Sequence, residues 1–312
     1  MIKKTIFLPV ILIAAISFAL SPSDNAGTTG FSFLLGTDVG ARAPALGGAW
    51  AGWGKSADGF AYNPAATGFS RGRSVIASFG NFWGLFNSGF TGYIHELSDN
   101  DFVAAGLQMV SYGKFTETNT LGEVLGEFSG SDFGLNLTYS RKIKKQISAG
   151  ITTKFLFSNV DTFCASAVAF DAGVMYRARR DNARVGLVIS NFGSFLSTYG
   201  DVKPAMPWLI KLGGFYNLPG FPGEIGAQVE TGAEVDYRVR AGMELDFLKP
   251  VYLRAGYILR PKPKENPSDS EQLNGLTAGI GIDYRKYTFS YSMQHYGVLG
   301  FVHRAAIGYV GF

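Results

Sequence analysis

From about residue 74 onward the chain repeats one pattern, runs of roughly ten residues in which apolar side chains alternate with polar or small ones. A period of two is the mark of a strand with two unlike faces. Between Ser131 and Ser140 the residues Phe133, Leu135, Leu137 and Tyr139 share one face, and Asp132, Gly134, Asn136 and Thr138 share the other. Between Tyr237 and Phe247 the residues Tyr237, Val239, Ala241, Met243 and Leu245 stand opposite Arg238, Arg240, Gly242, Glu244 and Asp246. A charged second face needs water or partners. A β-sandwich and a transmembrane barrel both satisfy such alternation, so the connections have to separate them.

About fourteen strands are expected, starting near Ser74, Asn87, Asp101, Ser131, Gln146, Phe163, Ala183, Met206, Gly223, Tyr237, Val251, Gly275, Tyr287 and His303. On that reading the connections after even strands are short: Ser98 to Asn100, Lys142 to Lys145, Arg180 to Asn182, Pro219 to Pro222, Leu248 to Pro250, and Lys286. Several after odd strands are longer: Lys114 to Gly130, Asn191 to Ala205, Arg260 to Asn274 and Gly297 to Val302. Short periplasmic turns in phase with long external loops are the habit of outer-membrane barrels, and an even strand count brings both ends to the periplasm. The expected fold is therefore an all-β, antiparallel transmembrane barrel. Aromatics near strand ends, among them Phe79, Trp83, Tyr112, Tyr139, Phe157, Tyr176, Trp208, Tyr216 and Phe247, are candidates for interfacial girdles.

Composition agrees. The 312 residues include 41 Gly and only 17% charged residues, where soluble domains average about 7% Gly and about a quarter charged. Lys3-Lys4 precede an apolar run from Ile6 to Leu20, and small residues such as Ser17 and Ala19 offer a cleavage site before Ser21, so residues 1–20 read as a signal peptide. No second run of that kind follows, and a mature membrane protein without apolar helices must be a closed barrel. The formal charge of +4 becomes +2 without Lys3 and Lys4, and the cations form no contiguous stripe, which argues against nucleic acid as a partner. Cys164 is the single cysteine, so neither an intrachain disulfide nor a multi-thiolate metal site can form.

Residues 21–73 do not read as strands. Gly36 to Phe69 is rich in Gly, Ala and turn residues, with Asn63-Pro64 as a turn signal. The stretch Ala41, Arg42, Ala43, Ala45, Leu46, Gly47, Gly48 and Ala49, followed by Asn63, Pro64 and Ala65, resembles the N-terminal portion of FadL-like barrels. The resemblance implies a plug or hatch entering the lumen, with a periplasmic strap as the alternative. Tyr112, Gly113, Lys114, Phe115, Thr116 and Glu117, then Leu121 to Glu123 and Gly126 to Ser129, resemble within that fold the PorV/PorQ group, PorQ of the type IX secretion system most of all. Phe312 resembles the C-terminal aromatic read by the barrel assembly machinery, although Ile307 and Tyr309 lie on the opposite phase unless a bulge falls near Gly311.

Chemistry is hard to place on this chain. Gly68-Phe69-Ser70-Arg71-Gly72 matches the hydrolase nucleophile elbow in letters, but it follows an Asn-Pro turn and precedes a strand, the reverse of the order that chemistry needs. His95, His295 and His303 have no metal spacing, and no glycine stretch forms a phosphate loop. No cofactor is expected and no enzymatic activity.

Two functions remain. The PorQ resemblance implies a scaffold of a surface-attachment complex, embedded in outer-membrane lipid and bound to secretion proteins; the alternative is a FadL-like transporter of hydrophobic small molecules. Against transport stand the charged residues expected inside: Asp132, Lys154, Asp171, Arg177, Gln228, Glu230, Arg238, Arg240 and Arg254. Opposed charges there are expected to pair and hold the lumen shut.

Overall fold

A computed structural model describes residues 27–54, 56–259 and 273–311. The expected signal peptide, most of the connection from Arg260 to Asn274, and Phe312 lie outside the described residues.

Fourteen antiparallel strands close on themselves, each paired with its neighbour in sequence and β1 (Arg73–Phe82) paired with β14 (Phe301–Gly311). The others are β2 (Phe86–Glu96), β3 (Asp101–Thr118), β4 (Val124–Lys144), β5 (Ile147–Val160), β6 (Phe163–Arg177) and β7 (Ala183–Ser197). The second half comprises β8 (Leu209–Asn217), β9 (Gly223–Gly232), β10 (Val235–Leu248), β11 (Val251–Leu259), β12 (Leu276–Tyr284) and β13 (Tyr287–His295). Closure leaves no strand edge at the seam, because β1 and β14 pair continuously from Arg73↔Gly311 to Phe82↔Val302. That ladder shows no register shift, so the bulge proposed near Gly311 is not there.

The two faces fall as the alternation requires. Phe133, Leu137 and Tyr139 are exposed on the outside, while Asp132, Asn136 and Thr138 are buried within. Val75, Phe79, Leu107, Met109, Ile151, Val174, Leu187, Leu212, Ile280 and Phe289 continue the apolar outer surface around the barrel. A surface of that extent suits hydrocarbon rather than water.

Two expected boundaries move. The stretch Lys114 to Gly130 is no loop: Lys114 to Thr118 pair with Val124 to Ser129, so β3 and β4 run on together and only Asn119 to Glu123 connect them. Residues 112–117 therefore belong to β3, and the stretch from Tyr112 to Ser129 crosses from β3 to β4. Their polar composition on both faces hides the ladder, since a hairpin standing clear of an apolar surround has no face to keep apolar. Likewise β7 continues to Ser197, well beyond Asn191.

Two of the candidate girdle aromatics point elsewhere. Tyr112 and Trp83 join an aromatic group at the long-loop end. Phe33 meets Phe82, Phe86 and Tyr112 edge-on with centroids 5.2–5.9 Å apart, and Trp83 packs on Phe86 and Tyr296. Phe79, Tyr139, Phe157, Tyr176, Trp208 and Phe247 do lie exposed.

Most of the described residues between 29 and 69 lie against the inward faces of the strands. They form the short helices α1 (Ser32–Gly36), α2 (Arg42–Ala45) and α3 (Gly59–Tyr62) and a 3₁₀ turn over Pro64–Phe69. Such short helices gain little from propensity and are held by packing. The core is built on them: Leu46, Trp50, Trp53 and Phe60 are fully buried, Trp53 stacks between Trp50 and Phe215 at 5.5 and 5.7 Å, and Phe60 packs on Phe90.

Candidate functional site

Glycine makes the room for this segment. A Cβ at Gly256 would stand 2.3 Å from Gly47 N, at Gly242 2.5 Å from Leu46 O, at Gly186 2.1 Å from Ala51 O, and at Gly150 2.7 Å from Pro64 C. These four positions on β11, β10, β7 and β5 form a collar that only a residue without a side chain can provide.

Electrostatics fix the segment on one side. Arg42 donates from Nε to Glu244 Oε2 at 2.9 Å and from Nη2 to Oε1 at 2.5 Å, and Arg254 Nε donates to the same Oε2 at 2.6 Å. Arg240 Nη1 donates to Asp38 Oδ2 at 3.1 Å and to Gly47 O at 3.0 Å, while its Nε reaches Glu230 Oε1 at 3.1 Å. Arg238 also contacts Glu230. Of the charges expected inside, Lys154, Asp171, Glu230, Arg238, Arg240 and Arg254 are paired with opposite charge, Asp132 is held by the hydroxyls of Tyr112 and Ser158, and Arg177 lies half-exposed at the short-turn end. Arg240 and Glu244 pair with the N-terminal segment as well.

The other predicted residues of the segment serve its backbone. Gly47 and Gly48 take left-handed conformations, φ 66° and 73°, which bring the chain sharply round after α2. Asn63 caps the 3₁₀ turn: its Oδ1 accepts from Ala65 N at 3.0 Å, its Nδ2 donates to Ala51 O at 2.7 Å, and Pro64 takes the first turn position. Of the β3 stretch, Tyr112 donates to Asp132 Oδ2 at 2.6 Å, Gly113 sits at a bulge with φ 75°, and Lys114 pairs with Glu127 at 2.7 Å. Phe115 stacks on Phe128, and Thr116 and Glu117 pair with Glu127 and Gly126. The arrangement brings Arg42 and Gly47 to the β10–β11 wall, Asn63 and Pro64 to β5–β7, and leaves Tyr112 to Glu117 outside both groups.

Ser70 ends the 3₁₀ turn and leads into β1, the order opposite to a nucleophile elbow. His303 Nδ1 lies 2.7 Å from Tyr291 Oη, and His295 packs edge-on against Phe301. Among the described residues no group of three His, Cys, Asp or Glu is placed to hold a metal.

One feature escaped the sequence reading. At Ser190-Asn191 strand β7 bulges: both residues are buried, Asn191 takes φ 61°, and the outward phase passes from Ile189 to Phe192. Asn tolerates that left-handed conformation better than most residues. Its backbone N–H donates to Asp171 Oδ1 at 2.8 Å, and its Oδ1 accepts from Lys154 Nζ at 2.7 Å. Lys154 and Asp171 pair at 2.8 Å with both side chains buried. Beyond the bulge β7 keeps β6 but loses β8, whose ladder ends at Ser190↔Leu209.

The wall is therefore open on one side of residues 191–197. A hollow of about 350 Å³ lies there, lined by Asn191, Phe192, Gly193, Ser194, Lys203, Pro204, Ala205, Met206 and Trp208. Inward Gly193 and outward Phe192 both line it, as an unpaired edge allows. On the other side of Pro204 is a cavity of about 220 Å³ lined by Gly30, Phe31, Ser158, Phe195, Thr198, Tyr199, Gly200, Asp201, Val202 and Pro204. Phe31 stacks on Phe195 at 5.3 Å, and Gly30 N donates to Ala205 O at 3.0 Å, so the start of the described chain lies against the segment between the two spaces. Phe31, Leu34, Val110, Leu156, Phe195 and Met206 form one apolar cluster here. The β9–β11 side of the interior carries the Arg–Glu groups, while the β3–β7 side combines this apolar cluster with Asp132 and the buried Lys154–Asp171 pair.

No protein-family model matches the chain, and no curated protein does. Solved structures match its fold. The toluene transporter TbuX of Ralstonia pickettii aligns over 87% of this chain and 97% of its own, with TM-score 0.59 and 12% identity. The monoaromatic hydrocarbon channel CymD aligns over 88% and 97%, with TM-score 0.63 and 10% identity. A FadL homologue of Pseudomonas aeruginosa aligns over 94% and 99%, with TM-score 0.54 and 12% identity. The closed, antiparallel 14-strand barrel is that of FadL-like outer-membrane barrels.

Proposed function

We propose that the protein is an outer-membrane channel passing small hydrophobic molecules sideways through its wall, with residues 27–72 as the plug that closes the axial route. The observation that carries this reading is the unpaired upper edge of β7, with the cavity and the hollow meeting at Pro204. An apolar molecule entering from the long-loop end meets Phe31, Phe195, Tyr199 and Val202 first. Displacement of Pro204 and its neighbours then delivers it past Phe192 and Trp208 to the hydrocarbon around the barrel. It never meets the Arg42–Glu244–Arg254 group. Of the charged lining that argued against transport, Glu230, Arg238, Arg240 and Arg254 stand away from this path on β9–β11, and Lys154 and Asp171 stand beside it as a buried pair of opposite charge. The fold's neighbours include proteins described as toluene transporters and a monoaromatic hydrocarbon channel, and a volume of about 220 Å³ suits a ligand of that size.

The attachment-scaffold reading has the resemblance of Tyr112 to Glu117 behind it and no match to a family model or a curated protein. Transport is tested by expressing the chain in cells lacking their own aromatic channels and following entry of radiolabelled toluene. Faster entry that Phe192→Asp cuts several-fold is expected. Entry no faster than in cells with an empty vector would sink the proposal.

A further inference from the structure

The two ends of the barrel carry opposite charge. At the long-loop end the described connections and hairpin tips hold Glu123, Asp161, Asp201 and Glu234 against Lys203. At the short-turn end the last residues of β4 and its turn carry Lys142, Lys144 and Lys145, and the last residue of β6 and its turn carry Arg177, Arg179 and Arg180. The turns are tied together, since Arg177 N donates to Gln146 O at 2.8 Å. With neighbouring strands about 4.8 Å apart, the turns of adjacent hairpins lie about 10 Å from each other, close to the screening length of physiological salt.

Three acids of this region are committed within it, and a fourth, Asp99, stands exposed beside Lys142. Asp181 takes a bidentate pair from Arg184 at 2.9 and 3.0 Å, Asp101 pairs with Arg141 at 3.4 Å, and Glu96 accepts from Gly72 N. Lys144, Lys145, Arg179 and Arg180 are exposed, and among the described residues no acid lies within ion-pair distance of them. So many cations without partners repel one another and create a positive field facing solvent.

We propose that this face docks an acidic polypeptide segment of a periplasmic protein. Its position favours a protein over lipid headgroups. A cavity of about 340 Å³ lined by Phe69, Ser70, Arg71, Glu96, Asp99, Lys142 and Arg177 lies where the N-terminal segment leaves the barrel. The Arg177 guanidinium sits 4.4 Å above the Phe69 ring, and Phe69 packs on Ala65, Ala66 and Met175 of the interior. The positive surface thus extends over the mouth, where a partner beneath the barrel reaches it and a lipid beside the wall does not. The inference requires the barrel to sit in the outer membrane and is independent of what the wall transports.

The test uses the full barrel in uncharged detergent and a fluorescein-labelled Glu-rich peptide, with binding read by anisotropy. Salt-sensitive binding is expected, weakened roughly tenfold or more by combining Lys144→Gln, Lys145→Gln, Arg179→Gln and Arg180→Gln. Combining Lys249→Gln, Arg285→Gln and Lys286→Gln, across the same face, is expected to change it by less than about twofold. Heat-modifiable migration confirms that each variant is folded. No binding by the unaltered barrel, or equal losses in both variants, overturns the proposal. So does loss of peptide binding once the barrel is placed in nanodiscs containing phosphatidylglycerol, which would assign the patch to the membrane.

Discussion

Arg42 of the N-terminal segment and Arg254 of β11 share one carboxylate, Glu244 of β10: both donate to its Oε2, at 2.9 and 2.6 Å. The wall's own ion pair is satisfied by Arg254 alone. Arg42 therefore ties the N-terminal segment to the wall.

Cutting that tether should loosen the plug while the barrel stays closed. Arg42→Met removes the hydrogen bonds to Glu244 while Arg254 still neutralises that carboxylate, a loss of about 1.5–3 kcal/mol, and here the cost falls on docking of the segment. The unaltered protein is expected to carry no steady current in planar bilayers, and the variant to show frequent openings. Steady currents through the unaltered protein would show that the lumen is not filled.

Asp58, in the segment itself, gives the plug a pH dependence. Burial raises its carboxyl pKa above the usual carboxylate range, while a hydrogen bond from Ser56 lowers it less, and its Oδ2 has no hydrogen-bond partner among the described residues. A raised folded pKa means that the folded state holds its proton longer than the unfolded one. The stability this contributes is present at low pH and lost as pH rises from the ordinary value of 3.8 through the folded pKa. Limited proteolysis of the N-terminal segment should accelerate as pH rises over that window, and Asp58→Asn should flatten the profile at the protected level. Acceleration on acidification would reverse the sign and refute the account.

Alternation made most of the wall legible, because an inward Asp132 or Arg240 and an outward Phe133 follow from phase alone once a strand is placed. It could not show which sector of the lumen each inward residue faces. Val110, Leu156, Phe195 and Met206 form an apolar cluster only because closure brings β3, β5, β7 and the chain before β8 together. The bulge at Asn191 was hidden for another reason. Asn191 read as the start of a loop, and only the buried Lys154–Asp171 pair, 37 and 20 residues away in sequence, shows why the strand continues. The glycine excess was visible, and so was the inward phase of Gly242. The use of that phase, to admit another backbone, was not.

The bulge should depend on its ion pair. Lys154→Met leaves Asp171 buried with the Asn191 N–H and no cation, and a loss of about 3–5 kcal/mol is expected, read as a lower temperature for the heat-modifiable shift. Adding Asp171→Leu removes the stranded charge and should restore part of the loss, leaving the Asn191 N–H without its acceptor at a cost of about 1–3 kcal/mol. A double variant as unstable as Lys154→Met alone would show that the pair does not organise the strand.

The glycine collar supplies the sharpest separation of plug from wall. At Gly256 a Cβ would come within 2.3 Å of Gly47 N and 2.4 Å of Leu46 C, backbone atoms that cannot turn aside. The residue lies in the middle of β11, paired with Gly242 and Thr277, and a β-branched side chain suits a strand. Gly256→Val should therefore leave the ladder intact and expel α2 and the turn after it. The expected outcome is a barrel with normal heat-modifiable migration, a protease-sensitive N-terminal segment and steady ion current. Cells carrying it should admit hydrophilic solutes that the unaltered barrel excludes. A variant that folds with a protected segment and no current would mean that the segment does not need the space these glycines leave, and the plug would then have to be held by its ion pairs alone.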